Sequence, residues 1–90
     1  MADVTDNKER HRFELVEDGH TAFAAHTIDG DVITFTHTLV PKAIEGRGIA
    51  SRLILAALTD VKGRGLKVVP RCPFVKAYIE RHPEWQAILA

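Results

Sequence analysis

Hydrophobic and polar residues alternate along the first half of the chain, which is the pattern of half-buried β-strands. Phe13 and Leu15 alternate with Arg12 and Glu14, and similar segments follow them. The strands expected from this pattern span residues 11–17, 21–28 and 31–40. Asp-Gly pairs separate the three segments, and this dipeptide favours tight hairpin turns. The first half of the chain therefore predicts an antiparallel β-meander.

The hydrophobic period changes to that of a helix after the glycines at positions 46 and 48. The apolar stripe of this helix consists of Ile49, Leu53, Ala56, Ala57 and Val61, with Leu58 beside it. Gly63 ends the helix, since glycine is favoured at helix C-termini. A short apolar strand over residues 66–70 follows, and the intervening helix predicts that it runs parallel to the third strand. A second helix is expected over residues 74–81.

These elements predict an α+β fold, in which an antiparallel β-meander continues into a β-α-β unit with a parallel strand and a C-terminal helix. The 90 residues are enough for one small domain, which we expect over residues 10–90. The polar residues 1–9 are expected to form a disordered N-terminus.

Composition narrows the classes of function. The formal net charge is zero, which argues against non-specific nucleic-acid binding because such binding needs a basic excess. No apolar run approaches the roughly 18 residues of a membrane span, and the N-terminus lacks the apolar segment of a signal peptide. Cys72 is the single cysteine, which excludes an internal disulfide and a multi-cysteine zinc site. We expect a cytoplasmic protein with a reduced thiol and with no nucleic-acid or membrane partner.

The loop between the third strand and the first helix is the strongest functional signal. Residues 40–50 read Val-Pro-Lys-Ala-Ile-Glu-Gly-Arg-Gly-Ile-Ala. A glycine-rich turn at a helix N-terminus presents unpaired backbone N–H groups and the positive end of the helix dipole, and both favour an anion. The loop lacks the Lys-Ser or Lys-Thr pair of a Walker A loop and the third glycine of a dinucleotide fingerprint. It predicts a short pyrophosphate cradle of the kind that holds coenzyme A.

Cys72 is the second signal, because it precedes Pro73 at the expected start of the second helix. Proline is favoured at the first helical position, so Cys72 is the expected N-cap. Backbone N–H groups there, with Arg71 beside them, lower the pKa of a thiol. The alternative is a small buried packing residue, as most single cysteines are.

Histidines are a weaker signal. His37 is expected to share a strand face with Ile33, Phe35 and Leu39, either as a packed residue or as an acid, a base or a ligand-orienting group. Three other histidines lack metal-ligand spacing and are expected at surface or turn positions; they are His11, His20 and His26. No metal site is expected.

Basic residues near the second helix allow two interpretations. Arg71, Lys76 and Arg81 form either a solvated face or contacts to a nucleotide phosphate. The sequence pattern leaves both open.

The order of the elements, together with two motifs, resembles the GNAT superfamily of acetyl-CoA-dependent N-acetyltransferases. The family's loop reads Gln or Arg, two residues, Gly, one residue, and Gly or Ala, and here it reads Glu45-Gly46-Arg47-Gly48-Ile49-Ala50. The similarity is closer still to small single-domain members, through Cys72-Pro73-Phe74-Val75 and through Arg81-His82-Pro83-Glu84-Trp85. It also includes His37-Thr38 and residues 63–70, and it covers about residues 10–86.

The resemblance implies how acetyl-CoA is bound. The pantetheine arm is expected beside Thr38, Leu39 and Val40, and the pyrophosphate on the N–H groups of residues 45–50. The second helix would flank the arm on its other side. The thioester would lie where the two parallel strands separate, close to the candidate catalytic residues His37 and Cys72. The implied cofactor-binding residues are Thr38, Leu39, Val40, Glu45, Gly46, Arg47, Gly48, Ile49, Ala50, Ser51, Phe74, Tyr78 and Arg81.

Two features depart from the family pattern. Glu45 stands where the family carries Gln or Arg, and a carboxylate repels a pyrophosphate unless it points away. The chain is also expected to lack the additional helices and strands that build an acceptor pocket in longer members. Tyr78 is the candidate counterpart of the tyrosine general acid of those members.

The resemblance therefore implies an N-acetyltransferase that uses acetyl-CoA and a small-molecule or protein amine. Transfer would be direct, or would pass through an acetylated Cys72. The alternative is a non-catalytic acetyl-CoA-binding or protein-interaction domain. A monomer or a weak homodimer is expected.

Overall fold

A computed structural model describes residues 4–90, which form one mixed sheet and the helices packed on it. The strands are β1 (Val4–Asn7), β2 (Arg12–Glu17), β3 (His20–Asp29), β4 (Val32–Leu39) and β5 (Lys67–Pro70). The α-helices are α1 (Ile49–Gly63) and α2 (Pro73–Arg81). Short 3₁₀ segments span Lys42–Ile44 and Pro83–Ile88.

The sheet follows the order of the chain. Its strand order is β1-β2-β3-β4-β5, with antiparallel pairing from β1 to β4. Only β5 runs parallel to its neighbour β4, and α1 connects these two strands. The predicted α+β fold, with a meander that continues into a β-α-β unit, is confirmed.

The hydrophobic core lies on the face of the sheet that α1 and α2 cover. Alternate strand residues contribute to it, namely Phe13, Leu15, Ala22, Ala24, Ile33, Phe35 and Val68. The predicted apolar stripe of α1 is buried from Ile49 to Val61, except that Ala56 is half-buried. Ile54, which was not predicted, is also buried. Trp85 and Ile88 of the last 3₁₀ segment close the core. None of the helices within residues 4–90 is both long and apolar enough to cross a membrane.

The expectation of disorder over residues 1–9 is wrong for Val4–Asn7, which form β1; residues 1–3 lie outside the described part of the chain. β1 pairs with β2 from Val4 opposite Leu15 to Asn7 opposite Arg12. Val4 packs against the core, and an ion pair joins Asp6 to Arg64 after α1. The polar composition of this segment concealed the strand, because it has no alternation of apolar and polar residues to indicate its pairing with β2.

A β-bulge in β4 corrects the predicted position of His37. Ala25 pairs with His37 but His26 pairs with Phe35, so Thr36 is an extra residue on β4. A bulge shifts the alternation of side chains by one residue. His37 is therefore exposed on the opposite face from the buried Ile33 and Phe35, and Thr38 takes the inward position.

The expected surface position of His26 is also wrong. Its side chain is 3% exposed and lies between the rings of Phe13 and Phe35. His11 and His20 are exposed, as predicted.

Candidate functional site

A cleft of about 260 Å³ opens where β4 ends and where both helices begin. Its lining residues are Val40, Ile44, Glu45, Gly46, Gly48, Ile49, Ala50, Ser51 and Phe74. All but Ile44 belong to the cofactor-binding residues that the family resemblance implied. Ile44 ends a 3₁₀ segment and is buried, and its large apolar side chain in the loop was the signal that could have indicated it.

The glycine loop adopts a conformation that suits an anion cradle. Gly46 and Gly48 have φ angles of +83° and +71°, which side chains rarely allow, and a Cβ on either would meet no atom within 4 Å. Gly48 is the N-cap of α1, and among residues 4–90 no side chain caps this helix end. The Arg52 N–H donates to the Gly48 carbonyl, which is the first hydrogen bond of the α1 helix. The N–H groups of the three residues before Arg52 therefore have no partner within the helix. The residues that carry these donors line the cleft, namely Ile49, Ala50 and Ser51.

Arg47 is held away from this cleft by the turn between β2 and β3. Its guanidinium forms ion pairs with Asp18 and with Glu17, the latter at 3.5 Å, and Glu17 also accepts from Arg52 at 3.2 Å. The hydrogen bond to Asp18 is the foremost cause that raises the pKa of Arg47. The Arg47 side chain is therefore not among the groups that line the cleft.

The two parallel strands separate next to this cleft. Their last pair is Phe35 opposite Pro70, after which the Cys72 N–H donates to the Phe35 carbonyl at 2.9 Å. From Thr36 to Leu39, β4 therefore has no β5 partner within residues 4–90. This leaves a free strand edge that leads to Val40 and into the cleft.

Cys72 is the N-cap of α2 with Pro73 at the first helical position, as the sequence predicted. Its thiol makes no capping hydrogen bond, is 3% exposed, and lies 3.3 Å from the Thr38 hydroxyl. Because His37 and Thr38 are neighbours on one strand, their side chains leave opposite faces of β4. The His37 ring instead contacts Phe23 edge-on, with 5.9 Å between the ring centroids.

The remaining predicted residues do not line the cleft. Thr38 and Leu39 precede it on the open edge of β4, and Arg47 is turned outward. Tyr78 is buried and stacks on His82 at 4.1 Å, and burial, with Glu84 as the lesser cause, raises its pKa. Arg81, Arg71 and Lys76 are all exposed.

Comparisons with known proteins agree with this architecture. Protein NATD1 of Gallus gallus and of Homo sapiens are each 38% identical to this chain over 52 residues. The match spans 58% of this chain and about half the length of those relatives, 47% and 46% respectively. The fold also matches the NMR structure of a GCN5-like protein of Staphylococcus aureus, with a TM-score of 0.74 and 21% identity. That match covers 100% of this chain and 91% of the other.

Family membership rests on nearly the whole chain. Residues 12–88 match the model of the GCN5-related N-acetyl-transferase family, a range that includes β2 to α2, the cleft and Cys72. The chain belongs to the GCN5-related N-acetyl-transferase family.

Proposed function

We propose that this chain transfers an acetyl group from acetyl-CoA to an amine. The observation that carries the proposal is the cleft on the glycine loop, next to which β4 has no β5 partner after Phe35. Thr38 lies on this part of β4 and contacts Cys72. A phosphate-binding floor beside a free strand edge suits a molecule that has a pyrophosphate at one end and an amide-containing arm at the other.

Each part of acetyl-CoA has a complementary group in this arrangement. The N–H groups of Ile49, Ala50 and Ser51 would hold the pyrophosphate, as unpaired helix N-terminal donors do. The amides of the pantetheine arm would bond to the open edge of β4 in place of a strand. The exposed Phe74 would pack against the arm, because it lines the same cleft.

The reaction needs an electrophilic carbonyl and a route for one proton. In direct transfer, the amine nitrogen attacks the thioester carbon, the C–N bond forms, and the C–S bond to CoA breaks. Overall, one proton passes from the amine nitrogen to the CoA sulfur, and Cys72 would relay it. His37, the other candidate from the sequence, lies on the opposite face of β4 and would not reach this proton. Backbone N–H groups near Val40 would stabilise the oxyanion.

The covalent route uses the same residues in two steps. The Cys72 thiolate would attack the thioester carbon and release CoA thiolate, which leaves acetyl-Cys72. The amine would then attack this second thioester, and the Cys72 sulfur would leave. The Thr38 hydroxyl, 3.3 Å from Sγ, is placed to hydrogen-bond the sulfur in either state.

A CoA-release assay tests the proposal. The full chain is incubated with acetyl-CoA and a panel of primary amines, and free CoA thiol and acetylated amine are both quantified. Release that depends on an amine and falls in a Gly48→Val variant supports the proposal. An acetyl adduct on Cys72 before amine is added would favour the covalent route. Absence of acetylated product from every amine, despite saturable acetyl-CoA binding, would favour the alternative below.

The alternative function is a non-catalytic acetyl-CoA-binding or protein-interaction domain. The exposed Glu45 favours it, because this acidic residue lines a cleft that would receive a pyrophosphate. Repulsion between the Glu45 carboxylate and the pyrophosphate would weaken CoA binding if the side chain points into the cleft.

A further inference from the structure

Ion pairs join the glycine loop to the turn between β2 and β3. The guanidinium of Arg47 pairs with Asp18 and, at 3.5 Å, with Glu17. Arg52 on α1 pairs with the same Glu17 at 3.2 Å. Arg47 stands between the two glycines of the loop, and both of these glycines line the cleft. The β2–β3 turn therefore holds a basic side chain that belongs to the backbone on which we propose that the pyrophosphate lies.

The cleft itself has no positively charged side chain. Within residues 4–90, Glu45 is the only charged residue of its lining. The N–H groups at the start of α1 are donors, but they carry only the partial charge of the helix end. A pyrophosphate in the cleft would therefore face a carboxylate without a cation to balance the two. A guanidinium supplies both the charge and a pair of donors that match a phosphate, and Arg47 is the basic residue between the two glycines.

The ion pairs that hold Arg47 lie in water and can be exchanged for others. The side chain of Arg47 is 43% exposed, and that of Asp18 is 65% exposed. Exposed ion pairs contribute little to stability, because water solvates both partners when they separate. If Arg47 leaves, Asp18 returns to water, while Glu17 keeps its contact with Arg52. The exchange therefore leaves no buried charge without a partner.

The exchange needs only a movement of the Arg47 side chain. Rotation about the bonds of this side chain moves the guanidinium while the backbone of the loop stays in place. The Cα of Arg47 lies between residues that line the cleft. The side chain that now reaches Asp18 is therefore also long enough to reach a ligand bound above the loop.

We propose that the pyrophosphate of CoA displaces Asp18 from Arg47, so that the β2–β3 turn and the ligand compete for one guanidinium. This rests on the proposed function, in which CoA occupies the cleft. In the free chain the turn neutralises Arg47, and in the complex Arg47 neutralises the pyrophosphate. Asp18 therefore lowers the affinity for CoA although it does not line the cleft.

Calorimetry of CoA binding to variants of the full chain tests the competition. Asp18→Asn removes the charge and keeps the turn, because asparagine tolerates the left-handed φ of +51° at this position. We expect this variant to bind CoA about threefold more tightly than the native chain at low salt. The matched control is Asp60→Asn, which removes the same charge near the other end of α1 and should leave the affinity unchanged. Unchanged or weaker binding by Asp18→Asn would overturn the proposal.

A double variant separates the competition from a general effect of charge. Arg47→Gln removes the guanidinium for which the turn and the ligand compete. The addition of Asp18→Asn to Arg47→Gln should therefore bring no further gain in affinity. A gain that persists without Arg47, or an equal gain in Asp60→Asn, would indicate a long-range effect of charge and would overturn the proposal.

The Nε–H resonance of Arg47 reports the exchange directly in the native chain. We expect it to shift as CoA saturates the chain, and to shift also with dephospho-CoA, which keeps the pyrophosphate but lacks the 3′-phosphate. A resonance that stays unchanged at saturation, or that responds to CoA alone, would overturn the assignment of Arg47 to the pyrophosphate. Absence of CoA binding by every chain, the native one included, would instead contradict the proposed function, and the competition with it.

Discussion

The hydroxyl oxygen of Thr38 lies 3.3 Å from the sulfur of Cys72, at the point where β4 and the start of α2 meet beyond the end of β5. The contact exists because the bulge at Thr36 turns Thr38 inward, and because the Cys72 N–H is bound to the Phe35 carbonyl. The Cys72 thiol therefore lies beside Thr38, on the stretch of β4 that has no β5 partner and along which we propose that the thioester arm binds.

The first prediction concerns Cys72. Cys72→Ser should retain the fold, since no capping bond depends on the thiol and a hydroxyl is favoured at a helix N-cap. Acetyl transfer should fall by about 10²–10⁴-fold if the sulfur is nucleophile or proton carrier. The measurement is the rate of amine-dependent CoA release, with circular dichroism as the control for folding. Full activity in Cys72→Ser would leave the thiol as a packing residue.

Bound CoA should also protect Cys72 from alkylation. The thiol is 3% exposed at the open edge of β4, and a ligand along that edge would cover its remaining access. The rate of iodoacetamide modification is measured by intact-protein mass spectrometry with and without CoA. Equal rates at saturating CoA would place the ligand elsewhere.

Gly48→Val should abolish CoA binding. The φ angle of +71° at Gly48 disfavours a β-branched residue, and the new side chain would project into the space above the loop. Gly30→Val is the matched control, because Gly30 has a φ of +62° with equally open space but lies in the β3–β4 turn. Calorimetry should show that Gly30→Val binds CoA and that Gly48→Val does not. If Gly48→Val still binds CoA, the loop is not the pyrophosphate site.

Glu45→Gln should tighten CoA binding. Glu45 lines the cleft and is exposed, so removal of its charge should gain up to about 1 kcal/mol at low salt and less at high salt. Glu9→Gln in the β1–β2 turn removes the same charge far from the cleft and serves as the control. Equal affinities of the native chain and Glu45→Gln at low salt would mean that the carboxylate points away from the phosphates.

The stability of the fold should depend on His26. Burial lowers its pKa below the ordinary value of 6.5, so the folded state favours the neutral ring. The contribution of His26 to the free energy of unfolding is therefore complete above pH 6.5, and it is lost as the pH falls through the pKa that His26 has in the folded state. Urea denaturation at pH of about 7.5 and about 5 measures the loss, and His26→Phe should show a smaller dependence on pH in this window. An identical pH dependence in His26→Phe would exclude His26 as its source.

The sequence predicted the elements that rest on local patterns. Asp-Gly turns, the helical stripe from Ile49, and the Cys72-Pro73 helix start all depend on residues close together in the chain, and the structure contains each of them. The glycine loop itself was read from local sequence, whereas the other residues that line the cleft, such as Phe74, were implied by the family resemblance.

The errors concern contacts between distant residues. The bulge at Thr36 depends on how β4 registers against β3, and a shift of one residue moved His37 to the outer face. In β1, Asp6 pairs with the distant Arg64. His26 is buried because Phe13 and Phe35 enclose it. None of these contacts has a signal in the local sequence period.

A titration of the isotope-labelled chain with acetyl-CoA, followed by NMR, tests the central claim most directly. We predict saturable binding, with the largest amide shifts at Gly46, Gly48 and Ile49 and along Thr38 to Val40. We also expect the amide resonance of Cys72 to shift. CoA, which lacks the acetyl group, should cause a smaller shift at Cys72. No binding at millimolar acetyl-CoA, or shifts confined to residues outside the glycine loop and the β4 edge, would contradict it.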